Sequence, residues 1–197
     1  MQLTSRFEEA LDFAFHLHAG QLRKGTKIPY VAHLLSVASI ALQHGADEEE
    51  AIAALLHDAV EDQGGAKTRE EIRRRFGERV AAIVDACTDS DVTPKPPWKQ
   101  RKQAYIAHVR TAPASVRLIS ASDKLDNARA ILEDYRSVGE SLWKRFHGGR
   151  EGTLWYYRSL VETFRQAGSN ALVEELDRVV TEIERLAGAA PPRSPKA

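Results

Sequence analysis

Residues 51–62 read AIAALLHDAVED, and this stretch constrains the chain more than any other. The first half consists of small or branched apolar residues. The second half sets His57, Asp58, Glu61 and Asp62 into the same apolar run. At helical periodicity, His57 and Glu61 share one face, as do Asp58 and Asp62. A helix apolar almost all round is buried. Carboxylates inside it are costly unless they are paired or hold a metal. The rest of the chain is therefore expected to bring partners to these four residues.

Helical patterning dominates and no run alternates at period two. A first helix is expected from Thr4 or Ser5, with Ser5 and Glu8 as a capping box, to about Ala19. A basic loop, QLRKGTKIPY (21–30), carries Arg23, Lys24 and Lys27 and is punctuated by Gly25 and Pro29. A second helix spans 31–43 with His33 in its first turn. Asp47 is placed to cap the helix that carries residues 51–62. Gly64-Gly65 ends that helix, and Thr68, with Glu71 as box partner, caps a short amphipathic segment through Phe76. Further helices are expected over 78–89, 99–110, 113–135, 150–167 and 170–186. Three prolines keep 90–98 a loop. The fold class is thus all-α: one compact domain over 1–188 and a flexible tail over 189–197.

Composition narrows the function. Twenty-eight Lys and Arg balance 28 Asp and Glu. That argues against a general nucleic-acid or membrane-surface binder. One cysteine excludes an internal disulfide framework and fits a reducing, cytoplasmic setting. No apolar run reaches membrane-spanning length.

His33, His57, Asp58 and Asp123 are metal-ligand types on three helices with apolar faces. Two imidazoles and two carboxylates, with no thiolate, suit Mn²⁺, Fe²⁺ or Zn²⁺ in a site left open for water and substrate. Glu61 and Asp62 lie one turn on, placed to position water or take its proton. The segment SDKLDNAR (122–129) interrupts an apolar helix as residues 57–62 do. On composition alone the basic loop reads as a solvated surface.

Four pieces carry a resemblance: HAGQLRKGTKIPYVAH (18–33), AALLHDAVED (53–62), FGERVAAIVDACTD (76–89) and SDKLDNAR (122–129). The chain resembles the HD-domain metal-dependent phosphohydrolases, and more narrowly the small alarmone hydrolases related to the hydrolase domain of RelA/SpoT enzymes. The resemblance implies one Mn²⁺-like ion (Fe²⁺, Zn²⁺ or Co²⁺ being alternatives) on His33, His57, Asp58 and Asp123. It implies catalytic assistance by Glu61 and Asp62. It also implies nucleotide contacts from Arg23, Lys24, Lys124 and Asn127, so the basic loop becomes part of the site. Tyr156, in the Trp155-Tyr156-Tyr157 cluster, is a candidate pocket wall or a core residue.

The implied reaction removes the 3′-pyrophosphate of guanosine tetra- or pentaphosphate. Alternatives are an HD phosphohydrolase for another nucleotide, such as an adenosine alarmone analogue or a nucleoside monophosphate, and a non-catalytic sensor. Asp126 departs from the pattern. It adds a negative charge near a polyphosphate pocket unless it points away or pairs with Arg129.

Overall fold

The computed structural model describes residues 2–89 and 94–188. Among them the chain runs through α1 (Ser5–Leu17), α2 (Val31–Gln43), α3 (Glu48–Leu56), α4 (Ala59–Asp62), α5 (Ala66–Phe76) and α6 (Glu78–Cys87). It continues through α7 (Trp98–Thr111), α8 (Ala114–Val138), a 3₁₀ segment (Gly139–Arg145), α9 (Gly149–Ala167) and α10 (Ala171–Gly188). The only β feature among the described residues is an isolated bridge between Leu22 and Pro29. Among the described residues no helix is long and apolar enough to cross a membrane. The tail expected over 189–197 lies outside the described residues, as does the 90–93 part of the expected loop.

α3 is the buried centre. Every residue from Ala51 to Leu56 is sealed from solvent. Its alanines let neighbouring backbones approach closely, and α1, α2, α6 and α8 all pack against it. Its start is defined by a capping box: Asp47 accepts from the Glu50 amide at 2.9 Å, and Glu50 accepts from the Asp47 amide at 2.9 Å. Arg79 braces the same cap through Asp47, Glu49 and Glu50.

Two apolar clusters flank α8. Val116 and Ile119 belong to the one built on α1–α6. Leu125, Ala128 and Ile131 belong to the one built on α7, α9 and α10. α2 is divided in the same way: Leu34 and Val37 face the first cluster and Ile40 faces the second. α2 and α8 thus cross at the seam between the clusters, where α2 presents His33 and α8 presents Asp123.

Several local expectations are corrected. Residues 51–62 are not one helix, because regularity lapses at His57 and at Asp58 (φ −100°, ψ −2°) before α4 resumes. Thr4, not Ser5, caps α1, accepting from the Arg6 amide. Thr68 lies inside α5 and turns its hydroxyl back to the Gln63 carbonyl, while Gly65, at positive φ, leads into that helix. The 3₁₀ segment has no counterpart in the sequence reading.

The capping box makes a testable contribution. Asp47→Ala should cost about 1 kcal/mol in chemical denaturation, with Asp47→Asn recovering most of it. An unchanged midpoint would show that the cap does not stabilise the helix bearing His57.

Candidate active site

His57 ends α3 because its ring turns inward. Nδ1 donates to the Ala54 carbonyl at 2.9 Å, leaving Nε2 pointing into the seam. Asp58 follows at the lapse in the helix, so its carboxylate swings back to lie 3.0 Å from His57 Nε2. His33 enters from the first turn of α2, with its side chain only 1% exposed. Its Nε2 lies 3.7 Å from Asp58 Oδ2 and 3.3 Å from Asp123 Oδ1. His57 Nε2 is 3.7 Å from the same Asp123 oxygen.

Both Nε2 atoms are buried and make no directed hydrogen bond. Their neighbours stand close without aligning on them, as donors do around a common centre. Metal–donor bonds of about 2.0–2.2 Å in tetrahedral or octahedral geometry separate donors by roughly 3–3.6 Å. His33, His57 and Asp58 form a cluster able to hold a metal ion. Asp123 lies beside it, its oxygens also engaged by Lys124 and Asn127. This nitrogen and oxygen donor set fits a divalent cation.

The remaining residues divide around this centre. Asp58 Oδ2 accepts from the Tyr30 hydroxyl at 2.5 Å, a contact that the sequence did not reveal. Tyr30 stacks on buried His18, whose Nδ1 donates to Gln21 Oε1 at 2.7 Å. Gln21 in turn donates to Asp62 at 2.7 Å. Glu61 points elsewhere, accepting from Lys95 at 2.7 Å and from the Asp89 amide at 3.1 Å. Glu61 and Asp62 therefore flank the centre on separate networks rather than acting as one pair.

Beside the centre lies a cavity of about 250 Å³, lined among others by Arg23, Lys24, Tyr30, Asn127, Arg145 and Tyr157. The 21–30 loop forms one wall. It folds into a tight turn held by the Arg23 amide on the Ile28 carbonyl at 2.9 Å, with Gly25 at φ +74°. A side chain at Gly25 would also strike Arg145, whose Cδ stands 2.8 Å from the Cβ position. Arg23 reaches Asn127 Oδ1 at 3.0 Å and Asp126 Oδ2 at 3.3 Å. Lys24 is exposed at the cavity. Lys124 folds onto Asp123 and over the Tyr105 ring. Tyr156 is not among the lining residues. Its hydroxyl is buried without a partner, and its ring packs near Trp98 and under Lys102. Tyr157 occupies the cavity wall instead.

The residues from His18 to Asn127 that build this site all lie within one recognised unit. A family profile described as the HD domain matches residues 10–154. The chain belongs to the HD-domain family. A guanosine-3′,5′-bis(diphosphate) 3′-pyrophosphohydrolase of Aquifex aeolicus is 37% identical over 131 residues, 66% of this chain. The match spans only 18% of that enzyme's length. The Drosophila melanogaster pyrophosphohydrolase MESH1 is 34% identical over 131 residues, covering 65% of this chain and 70% of MESH1.

Among solved structures, a metazoan ortholog of SpoT, described as hydrolysing ppGpp, superposes with a TM-score of 0.76 at 29% identity. That superposition covers 95% of this chain and 98% of that one. A Listeria monocytogenes structure gives a TM-score of 0.66 at 32% identity, over 80% of this HD-domain chain and 99% of the other.

The electrostatics of the centre make proton release the signature of metal uptake. Burial works against charge on His33, but Asp123, Asp126 and Asp58 outweigh it and push its pKa up to about 9. Burial likewise opposes charge on His57, and Asp58 and Asp123 hold its pKa well above the usual imidazole range. In the metal-free protein this pairing stabilises the fold fully below about pH 6.5 and is lost as pH rises through 9. At pH 7.5 protons must leave for a metal to enter. Calorimetric titration with Mn²⁺ in buffers of different ionisation enthalpy should show net proton release and an affinity that climbs with pH. Uptake without proton release would contradict the site.

Proposed function

We propose that this HD-domain protein hydrolyses the 3′-pyrophosphate of guanosine tetra- or pentaphosphate, yielding GDP or GTP and pyrophosphate. The observation that carries the reading is the convergence of two buried imidazole nitrogens on two carboxylates, beside a cavity that Arg23 and Lys24 line. The pyrophosphohydrolase names of the Aquifex and Drosophila relatives, and the ppGpp hydrolysis described for the metazoan SpoT ortholog, point the same way. His33, His57, Asp58 and Asp123 would hold the ion, which we take to be Mn²⁺. A divalent ion there would supply Lewis-acid activation of water and of a phosphoryl oxygen.

The protein's own residues supply the rest. Tyr30 orients Asp58 by hydrogen bonding. Lys124 offsets the charge of Asp123 and keeps its second oxygen engaged. Partial desolvation and the nearby Asp58 charge raise the pKa of Asp62, while Gln21 opposes the shift and anchors the carboxylate. That environment suits a proton acceptor. Glu61 would act from the opposite network, able to exchange Lys95 for water or substrate. Arg23 offers a planar cation for a phosphate or a purine face, Asn127 offers an amide beside it, and Lys24 adds a point charge at the cavity. Tyr156 would support the site from behind, packed against Tyr157, rather than line the cavity. Residues 1–188 would form the catalytic unit with 189–197 as its tail. We assign the protein to the cytoplasm, in keeping with its single cysteine.

The test is product analysis by anion-exchange chromatography after incubating Mn²⁺-loaded protein with guanosine tetraphosphate. GDP and pyrophosphate should form and should vanish with a chelator. Intact nucleotide in the presence of bound metal would overturn the proposal and turn the search to adenosine and monophosphate substrates. Glu61→Gln should keep its metal while losing on the order of 10²-fold or more in kcat. Loss of the metal in that variant would make Glu61 a ligand instead.

A further inference from the structure

A third carboxylate at the centre has no part in the reaction as described. Asp126 lies one turn after Asp123 on α8, next to Asn127. The sequence left it either turned away or paired with Arg129. In the structure Arg129 reaches Glu175 instead, at 3.4 Å. Asp126 turns toward α2, with Oδ2 2.6 Å from His33 Nδ1. Its Oδ1 accepts from the Ser36 hydroxyl, one turn after His33 on the same helix. Arg23 approaches Oδ2 at 3.3 Å from the opposite side.

The two histidines of the centre are therefore oriented by different means. An imidazole that binds a metal through one nitrogen donates its remaining N–H from the other, and the acceptor there sets tautomer and ring angle. His57 donates to a backbone carbonyl, which is rigid and neutral. His33 faces an ionisable side chain that is itself held by Ser36 and Arg23. Arg23 further bonds Asn127, which bonds Asp123, so one guanidinium ties the brace on His33 to the brace on Asp123.

We infer that Asp126 is a positioning residue that fixes His33 with its proton on Nδ1 and its Nε2 turned into the metal cluster, with Ser36 holding the carboxylate in place. This rests on the metal-centre reading above. An acceptor-only carboxylate cannot donate to Nδ1, so once the imidazole gives up one proton to bind a metal, the remaining proton stays on Nδ1 and Nε2 presents the lone pair. Removing such an outer partner characteristically weakens metal affinity by about 10- to 100-fold.

The test measures Mn²⁺ dissociation constants from the free-ion EPR signal, without nucleotide, for wild type, Asp126→Ala, Asp126→Asn and Ser36→Ala. Asp126→Ala should raise Kd about 10- to 100-fold. Asp126→Asn should recover part of that loss, because its amide oxygen can still accept from Nδ1. Ser36→Ala should weaken binding less than Asp126→Ala. Should the alanine variant not fold, Asp126→Asn and Ser36→Ala decide: both must bind Mn²⁺ more weakly than wild type while keeping native circular dichroism.

In the Zn²⁺-loaded wild type, ¹⁵N NMR should place the His33 proton on Nδ1. Metal uptake by folded variants equal to wild type, or a proton on Nε2, would overturn the inference alone. A purely structural role would lower Tm and leave Kd unmoved, which would overturn it as well. Failure of the wild type to bind any metal would instead bring down the metal-centre reading, and this inference with it.

Discussion

Two imidazoles and two carboxylates meet at the seam between two apolar clusters, and the surrounding helices are arranged to make that tolerable. A lone charge in such a place would be prohibitively desolvated. Here the imidazoles and carboxylates face one another, and each keeps a further partner: Ala54 for His57, Asp126 for His33, Tyr30 for Asp58, and Lys124 with Asn127 for Asp123. In the metal-free protein the cluster holds itself together by retaining protons on the histidines. A divalent cation held by the same carboxylates would take the place of those protons, so the cluster would be charge-balanced with or without it.

The geometry follows from packing. α3 can lie at the centre because Ala51, Ala53 and Ala54 let four helices close on it. The lapse after His57 turns Asp58 toward the seam, where a continuous helix would carry it away. α2 and α8 cross there because each divides its apolar residues between the two clusters. The 21–30 turn then lays Arg23 and Lys24 across the open side. The cavity wall carries Arg23, Lys24 and Arg145 with Glu133 and Asp134 among them, and it meets the histidine–aspartate cluster through Tyr30, bonded to Asp58, and Asn127, bonded to Asp123.

Much of this was legible in the chain. The HD pair stood out because four polar groups interrupt an otherwise apolar stretch. Asp47 could be read as a cap from its residue type just ahead of the apolar run, while its partner Glu50 came only with the structure. The four candidate ligands could be listed from residue type and helical face. What could not be read depends on contacts between distant segments. His57 and Asp58 are ordinary helix residues by propensity, and the lapse there comes with a local bond from His57 back to Ala54 and a tertiary one from Tyr30 to Asp58. Tyr30 looked like the end of a loop, 28 positions from the aspartate it holds. Asp126 was a charge without a role until α2 and α8 were seen to cross. Glu61 and Asp62 are adjacent in sequence, yet Lys95 and Gln21 draw them into separate networks. Tyr156 and Tyr157 are neighbours, and only the packing of α9 decides which one lines the cavity.

The central claim is that one divalent ion sits among His33, His57, Asp58 and Asp123. Anomalous diffraction at the manganese edge, from crystals grown with Mn²⁺, tests it most directly. The account predicts one strong peak bonded to Nε2 of both histidines and to a carboxylate oxygen of each aspartate. An empty cluster in crystals that contain manganese, or a peak elsewhere in the molecule, would contradict it.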